Sequence, residues 1–257
     1  MIDYSPIFQS IFKLWWIIPF LLIIAVLKTA WFKGWLGESL VKFGAHIRLP
    51  ADIYHPIHNV TLPTPDGTTQ IDHIFVSRFG IFVVETKNMK GWIFGGEHQA
   101  QWTQKVFKNS FKFQNPLRQN YKHVKTLEAA LDVPPETIHS VIVFAGDSTF
   151  KSPMPANVTQ GGGYLRYIQS FTEPVLSDAQ VQRAIFHIQS GRLAPTQATH
   201  RQHVENLQTK AASQTSRTCP RCGHAMVLHT AQRGSHAGHP FWGCSDYPRC
   251  KAMQSLS

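Results

Sequence analysis

Apolar and polar positions along the chain alternate between helical and strand periods. From Leu14 to Leu27 the stretch LWWIIPFLLIIAVL carries no charge, and Ile7 to Phe12 adds apolar residues on the far side of Lys13. GWLGESLVKFGAHIRL then reads as an amphipathic helix with Leu36, Leu40, Phe43 and Ile47 on one face. Strand character follows around Ile57 to Leu62, and a Pro/Asp/Gly turn containing Asp66 comes next. Two apolar runs, Ile74-Phe75-Val76 and Ile81-Phe82-Val83-Val84, flank Ser77-Arg78-Phe79-Gly80 and predict a hairpin. GWIFGG at 91–96 predicts another short strand, with Gln101 and Trp102 just beyond it. Asn115 is a good N-cap and Pro116 suits a first helical position, and Leu117, Tyr121, Val124 and Leu131 repeat at helical spacing behind them. HSVIVFAG at 139–146 reads as a buried strand, and SDAQVQRAIFHIQSG as a helix capped by Ser177 and stopped by Gly191. This alternation implies an α/β domain, a mixed sheet flanked by helices.

Four segments follow: an apolar segment over 1–33, the α/β domain over 34–192, a polar linker over 193–217 and a small module over 218–257. The linker loses all apolar period. A hydrophobic share of 43% excludes global disorder. The formal net charge of +10 favours an anionic partner, nucleic acid or an acidic membrane surface. The uncharged run is short of the roughly 20 residues a spanning helix needs, but Lys13 can snorkel and Trp15, Trp16 and Trp31 sit like interfacial anchors. A transmembrane anchor, a core helix and a cleaved signal peptide are the alternatives. For an anchor, Lys28, Lys33, Lys42 and Arg48 behind the run predict a single-pass protein of the inner (cytoplasmic) membrane with its domains in the cytoplasm.

The hairpin carries chemistry at its open end. With Arg78 and Phe79 as a two-residue loop, Asp72 faces Glu85 across the ladder and Lys87 projects from the face of Glu85. Opposed carboxylates destabilise a strand pair unless neutralised, and a divalent cation does that. Oxygen ligands suit Mg²⁺ or Mn²⁺, the metal would polarise a phosphodiester, and the lysine would stabilise developing charge. The plain alternative is a surface salt bridge of Lys87 with either acid. His73 points to the other face and reads as packing. Arg118, Lys122 and Lys125 are a solvated face or phosphate contacts.

GWLGESL, LPTPDGTTQIDHIFVSRFGIFVVETKNMKGWIFGG and FQNPLRQNYKHVKTL together resemble the nuclease-related domain (NERD) family, a divergent branch of the PD-(D/E)XK restriction-endonuclease-like superfamily. The resemblance runs from about Gly37 to Gly146. It implies a restriction-endonuclease-like fold and a metal-dependent nuclease site. Within that site Glu38 matches the acid of the first helix, Asp72 and Glu85 the metal ligands, Lys87 the catalytic lysine and Gln119 the polar residue near the scissile phosphate. Independently of the resemblance, Glu38 also suits a helix first turn, and Gln119 an ordinary exposed helix position.

All four cysteines lie near the C-terminus, as Cys219-x2-Cys222 and Cys244-x5-Cys250. Two thiolate pairs close a tetrahedral structural zinc site with no open position, in a module too small to fold on its core alone. His224, His229, His236 and His239 are possible substitutes for a cysteine. CPRCG and GHPFWGCSDYPRCK resemble the zinc ribbons of bacterial type IA DNA topoisomerases. That resemblance implies single-stranded DNA binding, with Phe241, Trp242 and Tyr247 to stack bases and Arg221, Arg249 and Lys251 to meet phosphates. Phe241 and Trp242 equally suit the ribbon's own core, and Tyr247 a turn support. The features together predict a membrane-tethered Mg²⁺-dependent DNA endonuclease with a DNA-binding ribbon. A non-catalytic DNA tether on the same fold is the main rival, and a lipid-binding basic surface the other.

Overall fold

A computed structural model describes residues 17–65, 67–194, 217–230 and 240–255, with isolated positions between 196 and 204. Trp15, Trp16, Lys13, Asp66, His236, His239 and most of the linker lie outside the described residues. The chain divides into two compact units, Met1–Thr64 with Thr69–Leu193, and Ala194–Ser257 with Pro65–Thr68.

The first unit is built on a five-stranded sheet: β1 (His55–Thr64), β2 (Gly67–Ser77), β3 (Gly80–Lys87), β7 (Ile138–Phe144) and β9 (Val158–Gln160), in the order β1-β2-β3-β7-β9. β2 and β3 are antiparallel, whereas β3, β7 and β9 are parallel. A sheet covered on both faces needs strands apolar on both faces, and β3 is buried from Gly80 to Glu85. One face packs on α3 (Pro116–Ala130) and α5 (Asp178–Gly191) through Val83, Leu127 and Ile188. The other packs on α2 (Ala30–Arg48) and α4 (Gly163–Gln169) through Val41, Phe82 and Leu165. The caps behave as their chemistry requires: Asn115 accepts from the Leu117 N–H, and Ser177 with Gln180 forms a capping box.

The amphipathic reading of α2 needs correction. Leu36, Leu40, Phe43 and Ile47 do share a side, but they are 39%, 51%, 64% and 59% exposed. The buried side is Gly37, Val41 and Ala45. Small residues allow close approach: a Cβ on Gly37 would lie 2.7 Å from Asn88 Cβ. Ahead of it, α1 (Ile17–Lys28) is apolar all round and buries nothing, and Thr29 starts a new helix by accepting from the Phe32 N–H. Among the described residues no single helix is long and apolar enough to cross a membrane. α1 and the rest of α2 pass that test only as a pair bent by 67°.

A second sheet was not legible beyond its first strand. It comprises β4 (Gly91–Phe94), β5 (Gln101–Val106), β6 (Asn109–Gln114) and β8 (Ser148–Phe150), in the order β6-β5-β4-β8. Ile93 and Trp102 form its buried side, against Ile142 and Phe144 of β7.

The second unit is a four-stranded antiparallel ribbon, β10 (Arg217–Thr218), β11 (Ala225–Thr230), β12 (Pro240–Cys244) and β13 (Met253–Ser255). Its core is Cys219, Met226, Trp242, Cys244 and Cys250.

Candidate functional site

Strand periodicity decides which face the hairpin acids occupy. The ladder runs from Ser77 opposite Gly80 to His73 opposite Val84, leaving Asp72 and Glu85 at the next step, where the two strands come to the end of their pairing. There the Thr86 N–H turns to Asp72 and donates to Oδ2 at 2.8 Å. Alternation puts Asp72, Glu85 and Lys87 on the side of Ile74 and Val83, which α3 covers, and His73 on the other. His73 is fully buried there, 3.0 Å from His58 between their Nδ1 atoms.

Lys87 Nζ donates to Glu85 Oε1 at 2.7 Å and to Gln119 Oε1 at 2.8 Å. Glu85 is 3% exposed. Its second oxygen lies 3.3 Å from His123 Nε2, and His123 Nδ1 is 2.8 Å from Thr69 Oγ1. Gln119 and His123 stand one helical turn apart on α3, so both reach the same strand end. α3 is fastened to the sheet just there: Asn120 Nδ2 donates to Val83 O at 2.8 Å and to Ser140 Oγ at 2.9 Å. Asn115, at the head of the helix, donates to the carbonyls of Glu97 and Gln99 at 2.9 and 2.7 Å.

The two acids behave oppositely. Burial and the neighbouring Glu85 charge hold the Asp72 carboxyl well above the usual carboxylate range. Burial pushes Glu85 upward too, but its His123 and Lys87 partners outweigh this and hold it below that range. Glu38, on α2, is raised by burial, opposed by Lys42 and assisted by the Glu85 charge. Two adjacent carboxylates that cannot both ionise are a favourable place for a cation. Glu85 Oε2 is moreover buried, with His123 Nε2 at 3.3 Å beside it but outside good hydrogen-bond geometry, which leaves it open to a cation. The five residues predicted for the site, Glu38, Asp72, Glu85, Lys87 and Gln119, are thus linked by hydrogen bonds or by their charges. His123 and Asn120 were missed, although spacing from Gln119 puts His123 on its side of the helix.

In the ribbon, Cys219 Sγ lies 3.7 Å from Cys250 Sγ and Cys222 Sγ 3.3 Å from Cys244 Sγ, and all four sulfurs fall within 4.8 Å of one another. A tetrahedron with Zn–S bonds near 2.3 Å has edges of about 3.8 Å, so the cluster fits one zinc ion. His224 is not part of this ligand cluster. Trp242 is 5% exposed and belongs to the ribbon core, which removes it from the surface that could stack bases. Tyr247 is 72% exposed, and Arg221, Arg249 and Lys251 are exposed with it. Phe241 is partly buried.

Residues 33–145 match the nuclease-related domain model, and residues 216–257 match the topoisomerase DNA binding C4 zinc finger. An uncharacterized Bacillus anthracis protein is 38% identical over 190 residues, covering 71% of this chain and 87% of that protein. No solved structure matches. With the acids, lysine and helix in place, the chain belongs to the nuclease-related domain family and ends in a four-cysteine zinc ribbon.

Proposed function

We propose that the first unit is a metal-dependent DNA phosphodiesterase of the restriction-endonuclease-like type and that the ribbon supplies DNA affinity. The observation that carries the reading is the partly buried Asp72 beside the buried Glu85, with Lys87 bonded to Glu85 and aimed by Gln119. Asp72 and Glu85 would hold Mg²⁺ or Mn²⁺, with Glu38 adding negative charge nearby. When bound, the metal polarises the phosphodiester and lowers the pKa of a coordinated water. Lys87 leaves Glu85 and places its ammonium beside the phosphate, where it stabilises charge that grows on the non-bridging oxygens. Gln119 Oε1 keeps one Nζ proton engaged and so fixes the direction of the other two. His123 and Asn120 hold Glu85 and α3 in position from behind.

A tethering reading without catalysis has its own observation in favour: Lys87 already neutralises Glu85 without any metal. Cleavage of plasmid DNA with added Mg²⁺ or Mn²⁺ separates the two readings.

The exposed apolar stripe of α2 and the largely exposed α1, which has no buried residue, support membrane attachment. An apolar surface of that extent is seldom left to water. In this reading the protein sits at the inner membrane, with the two units in the cytoplasm. Flotation of the full chain with anionic vesicles tests it. Leu40→Asp with Phe43→Asp should weaken co-flotation, and unchanged flotation would limit attachment to the residues before α2.

A further inference from the structure

Strand pairing in the second sheet separates a core side from an open side. Trp92 is opposite Lys105 on one neighbour and Thr149 on the other, and Phe94 is opposite Thr103, which is opposite Lys112. Paired residues share a face, so all six belong to the side away from Ile93 and Trp102. On that open side Trp92 is 48% and Phe94 36% exposed. Lys105 Nζ and Lys151 Nζ lie 5.8 and 4.8 Å from the centroid of the Trp92 ring. A cleft of about 440 Å³ runs along this side, with Lys90, Trp92, Lys105 and Phe107 in its walls and Asp147 as the one acid among its lining residues. Among the described residues none of Lys90, Lys105, Lys112 and Lys151 forms a salt bridge.

The hairpin tip beside the cleft is unusual. Phe107 occupies the first position of the β5–β6 loop with φ 53°, where asparagine or glycine is normally found, and its ring is 91% exposed. Stability is thus given up to hold an aromatic ring in solvent between Lys105 and Lys108. Like charges crowded on one sheet face also repel. Both costs are recovered by a polyanion with flat apolar rings: phosphates take the ammonium groups, and bases take the ring faces the lysines leave.

We propose that this sheet face is a binding platform for single-stranded DNA. Bases stack on Trp92 and Phe94, Lys105, Lys112 and Lys151 meet phosphates, and Phe107 forms a wedge at the rim. The platform is covalently close to the hairpin centre at both ends: β4 starts four residues after Lys87, and β6 runs directly into the helix that carries Gln119. A strand lying on it is therefore guided along the same unit that holds the acids, independently of the ribbon. The inference rests on the reading of the chain as a DNA-acting protein, but it needs no catalysis.

The test is binding of fluorescent dT20 to the full-length, zinc-loaded chain without added Mg²⁺. The Trp92→Ala/Phe94→Ala variant should bind about tenfold or more weakly when assayed well below its own melting temperature, which is measured alongside because both rings are only part exposed. Lys105→Gln/Lys151→Gln should reduce the slope of log affinity against log salt by about 1.4. Bromouracil photo-cross-links should map to 90–113 as well as to the ribbon. Wild-type affinity in the aromatic variant, cross-links confined to 217–255, or a preference for rU20 over dT20 would each overturn the platform. Failure of nuclease activity alone leaves these binding results standing, and cleavage with unaltered binding in the variants overturns the platform while keeping the nuclease.

Discussion

Lys87 Nζ sits between Glu85 Oε1 at 2.7 Å and Gln119 Oε1 at 2.8 Å, joining the end of β3 to the first turns of α3. One ammonium group thereby links the strand that carries the acids to the helix that covers them.

Asp72 is costly where it stands. Its folded pKa is raised by burial and by Glu85, so the unfolded chain loses this proton first and Asp72 destabilises the fold as pH rises above the ordinary Asp value. Asp72→Asn keeps the acceptor for the Thr86 N–H and removes that cost. Thermal melts at neutral pH should show equal or greater stability, while metal-dependent cleavage is lost. A clear drop in melting temperature would contradict the account of the site as strained for chemistry.

Asn120 is fully buried and bonds β3 and β7 from α3. Asn120→Ala should cost about 2–4 kcal/mol, since it strands buried carbonyl groups and leaves a small void. Urea unfolding of the variant measures this, and cleavage should fall with it as α3 carries Gln119 out of place. Asn120→Asp should be worse than Ala, because it replaces a donor with a charge among carbonyls.

His58 is held down to about 4 by burial and by Lys42, and burial lowers His139 too. A depressed histidine contributes stability above its unfolded pKa near 6.5 and loses it as pH falls. Stability should therefore decline between roughly pH 6.5 and 4, by about 2 kcal/mol at most for the half-buried His58 once solvent screening is allowed for. In His58→Asn the decline over that interval should be shallower. An identical slope in both proteins would refute the assignment.

Zinc should be stoichiometric and structural. Elemental analysis should find one zinc per chain, lost in Cys219→Ser/Cys250→Ser. The variant's ribbon amides should lose protection from hydrogen exchange while the first unit keeps its own. Protection unchanged on metal loss would mean the ribbon core suffices.

The hairpin centre was legible because two constraints coincide. A two-residue loop at Arg78-Phe79 leaves one register, and a period of two then fixes the faces of Asp72, Glu85 and Lys87. The caps Asn115 and Ser177 were readable for the same local reason. Apolar periodicity, by contrast, says only that residues share a side. It could not say that Leu36, Leu40, Phe43 and Ile47 look outward while Gly37, Val41 and Ala45 make the contact, because glycine and alanine carry little apolar signal. The β5–β6 hairpin was hidden by its tip, where Val-Phe-Lys-Asn offers no glycine and Phe107 takes the left-handed conformation. His123 and Asn120 gave no motif, and their roles arise only when α3 lies on β3.

The central claim is tested most directly by cleavage of plasmid DNA by the purified full-length chain in Mg²⁺ or Mn²⁺, beside Glu85→Ala and Lys87→Ala. The account predicts cleavage that requires added metal and falls by at least about 100-fold in both variants. DNA bound firmly but never cut above the level of the variants would contradict it and leave the chain a tether.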